Sequence, residues 1–156
     1  NLINKNLITP QITNMKKLSA FLVVMLVCTA GLFAQDVTGK WKTIDDETGD
    51  AKSIVEIYKQ DGKVYGKIVE ILNKDRQDAK CVDCPGADKG KPINGLVIIK
   101  GLEKDGDEYN DGKILDPQSG KLYKCLIELE NADKLKVRGY IGFSLIGRTQ
   151  YWHRVK

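Results

Sequence analysis

The sequence is poor in the residues from which catalysis is usually read. Its 156 residues contain one histidine, so any chemistry that needs two imidazoles is excluded. No glycine-rich loop is completed by Lys and Ser or Thr to cradle a phosphate, and no serine stands in a nucleophile elbow. Charge of one sign is scarce too. The formal net charge is +4, but Lys5, Lys16 and Lys17 come before the first carboxylate, Asp36. Beyond residue 34 the basic and acidic residues nearly cancel, which removes the bulk field that nucleic-acid binding requires. There is no internal repeat, no low-complexity linker and, after residue 35, no convincing amphipathic helix. With 42% hydrophobic and 29% charged residues, the composition is that of a globular chain.

One long hydrophobic run is present, and it reads as an address. Met15-Lys16-Lys17 precedes the apolar stretch Leu18–Ala34, and Gln35 follows. A basic start, an apolar centre and a small residue at the end are the three parts of a secretory signal peptide. The run is short for a membrane span, which wants about 20 apolar residues. Val27 precedes Cys28 where a lipidation signal would need a small residue, so Cys28 is expected to leave with the signal over 15–34. Residues 1–14 read as an upstream extension outside the fold. The mature domain is then 35–156, exported to a periplasmic or extracellular site, with no membrane span left after cleavage. A chain of that length buries roughly two thirds of its unfolded surface and needs no staples.

The mature part consists of short β-branched and aromatic runs punctuated by Gly, Asp and Asn. Gly39–Asp45, Ser53–Gln60, Lys63–Leu72, Gly95–Leu102, Gly112–Pro117, Lys121–Glu130, Lys134–Ile141 and Gly147–Val155 read as strands. Asp61-Gly62 is a strong hairpin signal, and Asp105-Gly106 and Asp111-Gly112 read as further turns. In Leu122–Glu130 the odd positions Tyr123, Cys125, Ile127 and Leu129 form the apolar face. Gly95–Leu102 is apolar almost throughout, as expected of a strand covered on both faces. Eight strands at hairpin spacing predict an all-β, up-and-down antiparallel barrel, which leaves no exposed edge. The irregular stretch Asn73–Asn94 is its one long loop. Such a barrel is either filled by its own side chains or holds one small ligand.

The blocks Ile114–Leu129, Leu135–Gly142 and Gly147–Arg154 resemble the secreted bacterial family known as domain of unknown function 2147. Gly39–Trp41, the Cys81/Cys84 loop and Gly95–Leu102 fall in matching order. The resemblance spans the mature chain and implies a lipocalin-like barrel in an exported protein; it implies no activity, and fold alone supplies none. Gly39-x-Trp41 also resembles the lipocalin signature in which a tryptophan closes the barrel floor beneath an arginine of the last strand. Arg148 and Arg154 are the candidates for that cap, and Trp41 is read as a structural plug. A guanidinium over an indole contributes about 0.5–2 kcal/mol.

Two groups of residues remain as site candidates. Cys81-Val82-Asp83-Cys84 admits three readings: a disulfide pinning the loop, favoured by export; a redox pair, for which the flanking βαβ unit is missing; and a metal site completed by Cys125 and His153. The disulfide leads, no metal or cofactor is expected, and Cys125 is left as a buried free thiol behaving as a small hydrophobe. His153 itself reads as a surface residue. Carboxylate pairs such as Asp45/Asp46 read as solvated turn formers. The second group is Arg138, Tyr140, Arg148, Gln150 and Trp152 on the last two strands. Either these side chains satisfy one another and close the barrel, or they anchor an amphipathic acid, with Arg148 first, Arg138 second, and Ile57, Val69, Ile98 and Ile127 supplying the apolar remainder.

Three functions compete. The leading expectation is a non-enzymatic exported barrel binding a small hydrophobic or amphipathic molecule, an anionic one among the candidates. The alternative is an envelope structural or interaction module with a filled barrel, marked by an exposed apolar patch in place of a cavity. The third is a thiol-dependent protein using Cys81 and Cys84. Oligomeric state is not legible.

Overall fold

Period-two alternation broken by turn residues builds the strands as expected. They are β1 Gly39–Ile44, β2 Ala51–Gln60, β3 Lys63–Ile71, β4 Val97–Asp105, β5 Glu108–Leu115, β6 Leu122–Asn131, β7 Lys134–Tyr140 and β8 Gly147–Arg154. The computed structural model describes residues 36–143 and 145–156. The expected signal segment 15–34, with its Cys28, and the upstream residues 1–14 lie outside the described residues. The strands close in sequence order into an antiparallel barrel.

The Asp61-Gly62 turn has φ of 51° and 78°, the left-handed pair that a two-residue hairpin demands. Asp111-Gly112 is not the turn its sequence announces. It is a bulge inside β5, with Asp111 at φ 58° and the register to β6 shifting between Tyr109 and Gly112. Aspartate tolerates the left-handed conformation that the bulge needs. β5 therefore starts at Glu108, ahead of the expected Gly112.

The inward side chains fill the barrel. Trp41, Val55, Ile57, Val64, Ile99, Leu102, Cys125, Ile127, Leu135, Val137 and Trp152 are each at most 2% exposed. Where an inward position is Gly139, Ile114 and Tyr123 occupy the space, 3.3 and 3.5 Å from where a Cβ would stand. β4 is covered on both faces. Ile99 and Leu102 point inward, while Ile98 is buried on the outside.

The cover for that outer face is the connection between β3 and β4. It doubles back on itself through Cys81 N to Lys91 O (2.8 Å), Gly90 N to Cys81 O (2.8 Å) and Ile93 N to Ala79 O (2.9 Å). Cys81, Cys84, Ile93 and Leu96 of this connection are buried together with Ile98 and with Leu115 of β5. Asp88 holds Lys100 of β4 by an ion pair, and Cys81 Sγ lies 3.6 Å from Pro117 O in the β5–β6 turn.

One end of the barrel is plugged. Trp41 is fully buried and donates from Nε1 to Val37 O at 2.8 Å. The Arg154 guanidinium lies over its ring, with Cζ 4.1 Å from the centroid. Arg154 also donates to Ala132 O (2.6 Å), Thr38 O (2.9 Å) and Asp36 O (2.9 Å). Gly39 has φ +120°, and a Cβ there would sit 2.9 Å from Arg154 Nη1. The Gly-x-Trp spacing thus has a local cause: the glycine leaves the room in which the guanidinium reaches the indole. Arg148 lies at the other end of β8.

Replacing Trp41 with Ala should destabilise the barrel by about 3–5 kcal/mol, read by thermal or urea unfolding. Arg154→Met should lower the midpoint clearly, and Arg148→Met much less. Equal effects of the two arginine variants would contradict the assignment of the cap to Arg154.

Candidate functional site

The end opposite the plug carries the polar residues of β8 and most of the exposed apolar surface. Here β1 and β8 part company. Their ladder consists of Trp41↔Arg154 and Lys42↔His153, and β8 from Gly147 to Trp152 continues with β7 alone as ladder partner. Side chains bridge the gap. Trp152 Nε1 donates to Gln150 Oε1 (3.3 Å), and Gln150 Nε2 donates to Asp46 Oδ1 (2.9 Å). The second oxygen of Asp46 accepts from Arg148 Nε, and Arg148 Nη2 lies 3.7 Å from Glu47 Oε1. A polar chain therefore runs from the buried indole to the rim and clasps the β1–β2 turn to β8.

Asp46 is the member that sequence reasoning missed. Partial burial pushes its carboxyl up. Hydrogen bonds from Arg148, from its own backbone N–H and from Gln150 outweigh that effect and hold it below the ordinary carboxylate range. Its neighbour Asp45 is the turn former that both were read to be, accepting from Glu47 N at 2.9 Å and Thr48 N at 3.2 Å. The ligand-anchor expectation put Arg148 first against an external acid. The tertiary structure supplies a carboxylate from 102 residues away, so the protein itself satisfies this arginine.

The five-residue cluster splits between two faces. Gln150 and Trp152 point inward with Arg148 at their rim. Arg138 and Tyr140 are on the outer wall, because the inward positions of β7 are Leu135, Val137 and Gly139. Arg138 donates to Thr149 Oγ1 (2.7 Å) and Leu145 O (3.3 Å), which removes it as an interior anchor. The expected apolar lining divides likewise. Ile57 and Ile127 are inside, Ile98 is outside beneath the β3–β4 connection, and Val69 is the extra residue of a bulge. The alternation that seemed to place all four together is reset by that bulge and by the register shifts of β4.

Two shallow hollows, of about 200 and 320 Å³, flank the long connection. One is lined by Asp88, Lys91, Pro92 and Asn94–Val97. Val69–Ile71, Gln77, Asp78 and Asn94 line the other. Neither includes Arg138, Tyr140, Arg148, Gln150 or Trp152.

The cysteines sort as three separate environments. Cys81 and Cys84 are joined as a disulfide, with Cα atoms 5.4 Å apart, and both are buried. Burial denies an attacking thiolate access to these sulfurs. Cys125 is inside the barrel, where burial pushes its thiol up to about 12. His153 is exposed on the outer wall near the plugged end, so the four residues of the metal reading do not converge.

Of the large apolar side chains exposed among the described residues, Val82, Leu122, Ile141, Phe143, Leu145 and Ile146 all lie at the unplugged end. Phe143 and Leu145 in the β7–β8 connection are 80% and 89% exposed.

Two measurements check this geometry. A carboxyl held low in the folded chain stabilises the fold above its ordinary value and loses that contribution as pH falls through the lowered one. Acidification below about pH 4, the ordinary aspartate range, should therefore loosen the clasp and shift Trp152 fluorescence. Asp46→Asn should remove that acid-dependent step; an unchanged step in the variant would contradict the clasp. Titration of thiols in the oxidised mature chain should find no reactive thiol in the native state and one, Cys125, in denaturant. Three in denaturant would exclude the disulfide.

A family model described as an uncharacterized protein conserved in bacteria, domain of unknown function 2147, matches residues 39–154. No curated protein matches the sequence. Among solved structures, a protein of the human pathogen Helicobacter pylori described as belonging to the lipocalin family is similar, with a TM-score of 0.68 at 20% sequence identity. The alignment covers 78% of this chain and 84% of that one. At that identity the likeness shows the shared barrel fold.

Proposed function

We propose that this chain, which belongs to the bacterial family of domain of unknown function 2147, is an exported, non-enzymatic interaction module that acts through the unplugged end of a filled barrel. The observation that carries this reading is the packing of the interior. Eleven inward side chains are at most 2% exposed and the inward glycine positions are occupied by neighbours. A ligand of drug-like size needs a cleft of about 300 Å³ or more, lined largely by apolar groups. The interior offers its volume to Trp41, Trp152 and the aliphatic side chains instead. Exposed apolar surface collected at one end is the feature expected of a contact surface. The reading of residues 15–34 as a signal supports export, and the single histidine and buried sulfurs are what the non-enzymatic reading rests on.

A second reading has one observation in its favour. Trp152, Gln150 and Arg148 form an inward polar series at the unplugged end, where lipocalin-like barrels open. An amphipathic acid could displace Asp46 from Arg148 and insert along that series. Fluorescence titration with fatty and aromatic acids, following Trp152, separates the two. The filled-barrel reading expects no saturable change and no co-purifying mass in native mass spectrometry of protein taken from its own host. Saturable quenching that disappears in Arg148→Met, with the fold intact, would replace it by the ligand-binding reading.

A further inference from the structure

We infer that the contact surface at the unplugged end is a docking site for an anionic lipid surface, with the β7–β8 connection as the part that enters it. This rests on the interaction-module reading and names its partner. Two observations coincide there. The first is apolar: Ile141, Phe143, Leu145 and Ile146 are 64–89% exposed in one short connection, and Leu122 at the start of neighbouring β6 is 39% exposed. Side chains of this kind partition into the headgroup and acyl boundary, about 5–10 Å deep.

The second observation is charge. Lys113 and Lys124 stand directly opposite each other across β5 and β6, both exposed on the outer wall below the connection. Like charges in that position repel and cost stability unless an anion lies between them. Lys121 is exposed in the adjoining turn, and among the described residues no ion pair holds Lys113, Lys121 or Lys124. Asp116, the carboxylate of that turn, is engaged by Gln118 N (3.0 Å) and Ser119 Oγ (2.6 Å).

Two cations also touch the apolar connection itself. Lys124 Nζ reaches Gly142 O at 3.4 Å, and Arg138 Nη2 reaches Leu145 O at 3.3 Å. Tyr140 faces Lys124 in the register, an amphipathic ring at the boundary between the two zones. Apolar side chains at the tip with a collar of lysine and arginine behind them match, in order, the acyl region and the phosphates of an anionic bilayer. Elsewhere on the outer wall some lysines are held by carboxylates, such as Lys136 by Glu128 and Lys134 by Glu130.

The test is vesicle co-sedimentation of the mature protein. Vesicles of phosphatidylethanolamine with phosphatidylglycerol are compared with vesicles of phosphatidylcholine alone. Binding is expected to the first and not the second, and should collapse at about 1 M salt, where the Debye length shrinks to about 3 Å. Phe143→Ser with Leu145→Ser should weaken it by about tenfold or more. Lys113→Gln and Lys124→Gln should each cost about fivefold. All four positions are exposed, so circular dichroism should show the wild-type barrel. No binding to anionic vesicles, or equal binding to both kinds, overturns the inference. Sedimentation velocity then shows what covers the tip. A dimer abolished by the Phe143→Ser, Leu145→Ser variant would overturn the lipid assignment in favour of a second copy and leave the interaction-module reading standing. The fluorescence titration with fatty and aromatic acids is the measurement on which that reading itself fails.

Discussion

The guanidinium of Arg154 over the indole of Trp41 is the contact on which this barrel closes. It joins the first strand to the last, and it does so where an open sheet would otherwise show two raw edges. The same side chain collects three backbone carbonyls, from Asp36, Thr38 and Ala132, that belong to the segment crossing the floor and to the neighbouring β6–β7 turn. A planar donor fork suits this task better than an ammonium would, since it stacks and donates in several directions at once. Gly39 is part of the same unit because any side chain there would displace the guanidinium.

At the other end the closure is of a different kind. The backbone ladder between β1 and β8 ends at Lys42, and the Asp46, Gln150 and Arg148 side chains hold the gap. A closure of carboxylate and guanidinium at the rim is partly solvated and answers to acid, whereas the buried Trp41 plug does not titrate. The polar chain also explains how Trp152 is buried without an orphaned donor: its N–H is satisfied by Gln150, which is satisfied in turn by Asp46.

A closed barrel with a filled interior leaves its outside as the place for contact. On the β4–β5 side the disulfide-joined connection is tied down, by Asp88 to Lys100 of β4 and by Cys81 beside Pro117 of the β5–β6 turn. In the β7–β8 connection Phe143 and Leu145 stand out with a group of cations behind them. The contrast matters because both regions are loops at the same end. One is held by internal hydrogen bonds and buried sulfurs; the other is short and spends its apolar residues on solvent.

Much of the architecture was legible in the residues. Hairpin spacing and alternation gave eight strands and the inward set Tyr123, Cys125, Ile127 and Leu129, because strand periodicity is a local property. Gly39, Trp41 and an arginine on the last strand pointed to the plug through their resemblance to the lipocalin signature. The candidate site was legible only in part. Whether Arg148 pairs with a ligand or with the protein depended on Asp46, a residue 102 positions away with nothing in its own surroundings to mark it. Bulges at Val69 and Asp111 turned side chains to the opposite face, and a one-residue shift in a period-two pattern cannot be seen from the pattern itself. The sequence by itself determined the number and order of the strands, most of their turns and the chemistry available. The tertiary structure decided which face each side chain took and which charges met, because those depend on register and closure, which are set by contacts between residues distant along the chain.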